Sequence, residues 1–373
     1  MKLASYFRMW STQLSWLSNE TKAELEKTAR AIVADGKGIL AADESNGTMG
    51  KRLANINVPN EENNRRVYRG MLFDNAEKVK HAIGGVILFE ETLFQKRDDG
   101  TRLVQPLLDA GIIIGIKVDK GVVPFPGCRE GEVYVQGIDG LGDRLVKYKE
   151  AGCRFAKWRG VLKIGADTPS TLAIQTITRD LARYAAVCQK HGIVPIVEPE
   201  ILPDGDHSIE VCQRVTEQVL SAQYNELIKH NVHIDGTLLK PNMVTSGMSA
   251  SVKAPVEEIA WRTVRALQRG VPSCMPGVVF LSGGQSEQEA SRNLDALNRI
   301  DTIKPWKLSF SFGRALQASA LKAWGGKSEN LAAGGEAFVK RANANGLAAQ
   351  GRYEEAGETA ADSGSLHVPN HVY

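Results

Sequence analysis

Cysteine is scarce and scattered in this chain. The five residues (Cys128, Cys153, Cys188, Cys212, Cys274) are odd in number, widely spaced and form no C-x-x-C pair. That pattern argues against a disulfide framework or a structural zinc site and suits reduced thiols in a cytoplasmic protein. Charge of one sign is missing too: 46 basic residues face 43 acidic ones, a net of +3. A nucleic-acid binder built on a basic face and an acidic solubilising chain are therefore disfavoured. No run reaches the roughly eighteen consecutive apolar residues that a membrane span needs. Histidine contributes little: the seven residues lie outside the apolar strand cores, so no metal site is assigned. A G-x-G-x-x-G turn after the first apolar run is absent as well, and no cofactor is expected.

What is present is an ordinary globular composition, 43% hydrophobic and 24% charged over 373 residues. Short apolar runs recur in it, each begun or followed by glycine and ended by polar residues. They are GKGILAADES (36–45), GGVILFEE (84–91), GIIIGIKVD (111–119), FAKWRGVL (155–162), GIVPIVEPE (192–200), GTLLKPNM (236–243), GVVFLSGG (277–284) and KLSFSFGR (307–314). Their length and β-branched content fit buried parallel strands, and their spacing of about 39 residues leaves room for a helix in each interval. Helical stripes follow Asp206 and run through 170–190 and 256–268, and Ser286–Asn298 opens with an N-cap and a glutamate three residues on. Eight such units predict a single α/β domain, a (β/α)8 TIM barrel, with a doubly wound open sheet as the alternative. The barrel is assigned to 30–345, after an N-terminal extension and leading helix (1–29) and before a mobile C-terminal tail (346–373). The first 19 residues hold Lys2 and Arg8 without an acid, but polar residues interrupt any targeting core. A short amphipathic extension is expected instead, and the tail from 352 to 366 is expected to be disordered.

In a barrel of this kind the chemistry sits at the C-terminal strand ends. Those ends carry Asp43, Glu90 and Glu91, Lys117 and Asp119, Lys157 and Arg159, Glu198 and Glu200, Lys240, Ser282-Gly283-Gly284 and Arg314. Residues two apart on a strand share a face, so each i, i+2 pair points into the mouth together. Lys240 follows two leucines; burial and nearby cations lower a lysine's pKa and free its amine to attack a carbonyl. The same pattern suits a structural ion pair with Glu198 or Glu200. Ser282-Gly283-Gly284, just before a helix, is placed to hold a phosphate, with Arg314 completing the site. Lys51, Arg52 and Arg65, across the mouth, are candidates for a second anion.

These runs, together with GIKVDKG, FAKWRGVLKI, IVPIVEPEILPDGDH, FLSGGQSE and SFSFGRALQASALKAWGG, closely resemble class I fructose-bisphosphate aldolase in order from about Glu24 to Gly351, and again at Tyr373. The resemblance implies metal-free, reversible cleavage of fructose 1,6-bisphosphate to dihydroxyacetone phosphate and glyceraldehyde 3-phosphate. It implies Lys240 as the Schiff-base lysine, Glu198 as proton carrier with Glu200 beside it, and Lys157 polarising hydroxyls. It further implies Asp43 at the C4 hydroxyl and Tyr373 at the enamine. Ser282, Gly283, Gly284, Ser311, Gly313 and Arg314 match one phosphate site; Ser45, Lys51, Arg52, Arg65, Lys117 and Arg159 line the other side. A homotetramer is implied, with no nucleic acid and no membrane among its partners. Phe312 stands where many animal members carry tyrosine, and Thr48 where serine is common. Two alternatives stay open: another Schiff-base sugar-phosphate aldolase, and a scaffolding role of the tetramer toward acidic or cytoskeletal partners.

Overall fold

A computed structural model describes residues 16–354 and 364–369. The first fifteen residues, and with them most of the proposed extension, lie outside the described residues, as does Tyr373. Among the described residues ten strands form in chain order: β1 Gly38–Ala42, β2 Ile83–Leu88, β3 Ile113–Lys117, β4 Val122–Pro124, β5 Val133–Val135, β6 Phe155–Lys163, β7 Val194–Leu202, β8 Leu238–Leu239, β9 Gly277–Phe280 and β10 Lys307–Phe312. Eight of them close into a parallel barrel in the order β1-β10-β9-β8-β7-β6-β3-β2. Every one of those eight lies within, or overlaps, an apolar run read from the sequence. The closed ring removes the open-sheet alternative.

The hydrophobic alternation divides the core in two. Ile39, Ile87, Phe155, Ile196, Leu238 and Val279 fill the barrel interior as one cluster. Their neighbours Leu40, Leu88, Ala156, Val197, Leu239 and Val278 belong to a larger cluster under the surrounding helices. A period of two produces this split, because successive side chains leave opposite faces of a strand. The helix Asn19–Ile32 brings Leu25, Ala29 and Ile32 into the interior cluster, so it packs on the barrel's apolar inside. It starts where Ser18 accepts a hydrogen bond from the Thr21 backbone, a side-chain cap. The apolar filling gives way to charge only at the C-terminal strand ends.

The helices Thr171–Lys190, Ile209–Lys229 and Val256–Gly270 occupy the striped segments, and Ser286 caps Glu287–Arg299 in a full capping box with Glu289. The β4–β5 hairpin was not legible in advance. Its Glu132 carboxylate accepts from the backbone and hydroxyl of Ser170 at 2.6 and 2.7 Å, which pins the hairpin to the start of a helix. The boundary set at 345/346 falls inside the helix Leu331–Ala348. Just beyond it Tyr353 is buried and donates its N–H to Asp295 at 2.8 Å, so at this position the tail is packed, contrary to the disorder expected over 352–366. All five cysteines are free thiols.

Close packing at the barrel floor depends on Gly84. A Cβ there would lie 2.2 Å from the Ile32 carbonyl oxygen, a backbone atom with no rotamer to change. Gly84→Ala is therefore expected to destabilise the protein by about 1–3 kcal/mol through overpacking. A lower urea-unfolding midpoint checks this; an unchanged midpoint contradicts the close approach.

Candidate active site

The site is built from side chains that the strand period turns inward above the apolar filling. Lys240 comes directly after β8, and its backbone N–H donates to the Val197 carbonyl at 2.8 Å, which continues the ladder by one residue. Its Nζ lies 3.0 Å from Glu198 Oε1 on β7. Glu198 Oε2 lies 3.4 Å from Lys157 Nζ on β6, and Lys157 reaches Asp43 Oδ2 at 2.8 Å after β1. Asp119 stands 3.9 Å from Lys157 and 2.6 Å from Lys117. Three lysines thus alternate with three carboxylates, all of them buried. Isolated charges at this depth would be strongly unfavourable, and mutual pairing offsets the loss of water.

The pairing fixes protonation states. Burial is the largest single influence on Asp43 and favours the neutral acid. Lys157, Lys240 and Lys117 together outweigh it and bring its pKa down to about 2. Asp119 follows the same pattern: burial opposes its charge, Lys117 and Lys157 prevail, and its pKa is lowered. Both carboxylates are ionised across the neutral range. On the next inward position Arg159 forms a close ion pair with Glu200.

A small cavity opens beside Lys240, bordered by Ser282, Gly283, Ser311, Gly313, Arg314 and Arg52 together with Asp43 and Glu198. Gly283 and Gly284 adopt φ of 57° and 82°, a left-handed turn that suits glycine. The turn leads to the helix capped by Ser286. A segment of the tail lies over it: the Leu366 N–H donates to the Gly284 carbonyl at 3.1 Å, and Arg314 donates to the Leu366 carbonyl.

The structure corrects the position of Arg52. It does not face this group from across the mouth. A Cβ on Gly313 would lie 3.6 Å from Arg52 Nη2, so its guanidinium sits beside the β10 end. Barrel closure is the reason: β1 pairs with β10, which brings the helix after β1 to the loop after β10. Arg65 is occupied otherwise, donating to both oxygens of Glu91 at 2.9 and 2.6 Å and to Asn60 Oδ1 at 2.9 Å. Ser45 caps the helix Asn46–Ala54 by accepting from the Thr48 N–H, and Lys51 is exposed on that helix. Phe312 is fully buried in the outer core. Two residues absent from the predicted site line or brace it, Glu44 and Arg69. Glu44 had a weak signal in its place beside Asp43; Arg69, in the helix Glu62–Phe73, had none.

A buried lysine against a carboxylate, with a glycine turn and an arginine alongside, at the C-terminal end of a (β/α)8 barrel, is an arrangement suited to a Schiff-base lyase acting on phosphorylated carbonyl compounds. Comparison with known proteins makes this specific. The family model for class-I fructose-bisphosphate aldolase matches residues 24–373. Fructose-bisphosphate aldolase C of Homo sapiens is 59% identical over 358 residues, 96% of this chain and 98% of that protein. The non-muscle fructose-bisphosphate aldolase of Lethenteron camtschaticum is 57% identical over the same share. Among solved structures, fructose-bisphosphate aldolase from Plasmodium falciparum, crystallised with TRAP and a small-molecule inhibitor, has a TM-score of 0.89 and 50% identity, covering 91% of this chain and 98% of that one. The chain belongs to the class-I fructose-bisphosphate aldolase family. It is a lyase that cleaves fructose 1,6-bisphosphate through a lysine Schiff base, independently of a metal.

Lys157 touches three carboxylates, so its loss has a distinctive pH signature. Lys157→Met leaves Asp43, Asp119 and Glu198 short of a cation and should lower stability at pH 7.5 by about 3–5 kcal/mol. In the native protein the lowered pKa of Asp43 contributes stability above its unfolded pKa of about 3.9, lost as pH falls toward 2. In the variant the carboxylates bind protons more readily, so the deficit shrinks as pH drops toward 4. Urea unfolding of both proteins at pH 7.5 and 4.5 checks this; a pH-independent difference contradicts it.

Proposed function

We propose that this chain carries out the cleavage with Lys240 as the nucleophile and Glu198 as its proton partner. The observation that supports this is the 3.0 Å contact between Lys240 Nζ and Glu198, buried at the barrel mouth. Glu198 takes a proton as the amine attacks the C2 carbonyl, then returns one to the carbinolamine oxygen so that water leaves and an iminium forms. Asp43, ionised by its lysine neighbours, accepts the C4 hydroxyl proton as the C3–C4 bond breaks. The bonding pair flows into the iminium, which becomes an enamine, and glyceraldehyde 3-phosphate departs. Protonation of the enamine at C3, assigned to Tyr373, and hydrolysis then release dihydroxyacetone phosphate. Lys157 polarises the substrate hydroxyls while holding Asp43, and Glu200 with Arg159 braces the wall.

One phosphate is assigned to Ser282, Gly283, Gly284, Ser311, Gly313 and Arg314, with Arg52 added on the same side. The other is assigned to the side of Lys117 and Arg159, with Ser45 and Lys51 beyond them. Arg65, taken up by Glu91 and Asn60, is assigned to bracing the β2 end instead. Family membership supports a homotetramer in the cytoplasm. Acidic cytoskeletal filaments are kept as a further partner, since the Plasmodium relative was solved with another protein.

Borohydride reduction tests the assignment. With fructose 1,6-bisphosphate and EDTA present, the Lys240 peptide should gain a stable triose- or hexose-phosphate mass, and Lys240→Met should lose both the adduct and turnover. An adduct on a different lysine, or turnover retained in the variant, would refute it.

A further inference from the structure

Glu44 is a buried carboxylate on the wall of the cavity, and the reaction above gives it no step. Its side chain is nevertheless constrained from several directions. Oε1 accepts from Gln317 Nε2 at 3.0 Å and forms a close ion pair with Arg52 Nη1. Oε2 faces Arg69 Nη2 at 3.6 Å, and the same nitrogen donates to the Glu44 carbonyl at 2.7 Å. Arg69 is itself fully buried, and its Nη1 donates to Thr92 Oγ1 at 2.6 Å in the short helix after β2. Gln317, in the helix after β10, also donates to the Ala41 carbonyl at 2.8 Å. The carboxylate is therefore clamped by groups anchored to three neighbouring barrel units. A planar guanidinium spans two of these acceptors at once, which a lysine ammonium at the position of Arg69 does not do.

Arg52 lies at the other end of this clamp. Glu44 holds its Nη1, while its Nη2 faces Gly313, 3.6 Å from where a Cβ would stand. One amino group is tethered and the other is presented to the turn that carries Arg314. A donor fixed before the ligand arrives loses little freedom when a phosphate binds, which is the physical content of preorganisation. We infer that Glu44, braced by Arg69 and Gln317, is a positioning residue that aims Arg52 at the phosphate held beside Ser282 and Arg314. The inference rests on the phosphate assignment made above.

The test uses hexitol 1,6-bisphosphate, which carries both phosphates but no carbonyl, so its binding is independent of the Schiff base. Calorimetry on the full-length enzyme should show Glu44→Gln weakening this ligand about tenfold to a hundredfold, the range for a misplaced charge-assisted hydrogen bond. In turnover assays the loss should fall in KM more than in kcat. In an Arg52→Ala background the same substitution should add less than about twofold, because contacts that act through one another are not additive. If Glu44→Gln does not fold, Glu44→Asp serves, since it keeps the charge but withdraws it from Arg52. Unchanged affinity in the Glu44 variant, or an equal loss with and without Arg52, would overturn the positioning role. Should Arg52→Ala alone bind the ligand normally, the phosphate assignment of Arg52 falls, and this inference with it.

Discussion

Lys157 is the interaction on which the rest of the site depends. Its ammonium group lies 2.8 Å from Asp43 and 3.4 Å from Glu198, and 3.9 Å from Asp119. These carboxylates come from the middle of β7 and from just past β1 and β3, so one side chain from β6 ties together strands that are distant in the chain. The closed barrel makes this possible, and the charge balance makes it durable. Burying charge is strongly unfavourable unless it finds a partner, and the alternation of lysine with carboxylate provides one at each position. That balance also bears on the proposed chemistry: the same lysines that stabilise Asp43 in the fold hold it ionised, as the proposed transfer of the C4 hydroxyl proton requires.

The apolar interior below performs a complementary task. Phe155, Ile196 and Leu238 fill the barrel under Lys157, Glu198 and Lys240, which lie two residues further along the same chain segments. Each of these three groups therefore stands on a packed side chain of its own chain segment. Gly115 contributes on the neighbouring strand, since a Cβ there would lie 2.4 Å from the Phe155 ring. The helix Asn19–Ile32 joins this same interior cluster. Stability and positioning are in this sense one arrangement, with hydrophobic packing below and ion pairing above.

Much of this was legible in the sequence because strand periodicity is local. Short apolar runs, most of them opened by glycine, located all eight barrel strands, and the i, i+2 spacing of Lys157 with Arg159 and of Glu198 with Glu200 put each pair on the inward face. Lys240 stood out as a lysine following two leucines. What local pattern does not carry is who meets whom across the ring. Nothing local to Arg52 links it to Ser282 and Arg314, which are far away in sequence; the pairing of β1 with β10 brings them to one side of the mouth. Arg69 carries no local signal at all, and only the packed structure shows its guanidinium reaching Glu44 and Thr92. The burial of Tyr353 was likewise hidden by the polar composition around it.

The central claim is that Glu198 moves the protons that let Lys240 form and dehydrate the carbinolamine. The rate of Schiff-base formation in a single turnover tests this most directly, with rapid mixing of enzyme and fructose 1,6-bisphosphate followed by a borohydride quench. Glu198→Gln, which keeps the shape of the side chain but cannot accept the proton, is predicted to slow the step by about 10²–10⁴-fold, the usual scale of general acid–base assistance. Formation of the Lys240 adduct at the native rate in that variant would contradict the account.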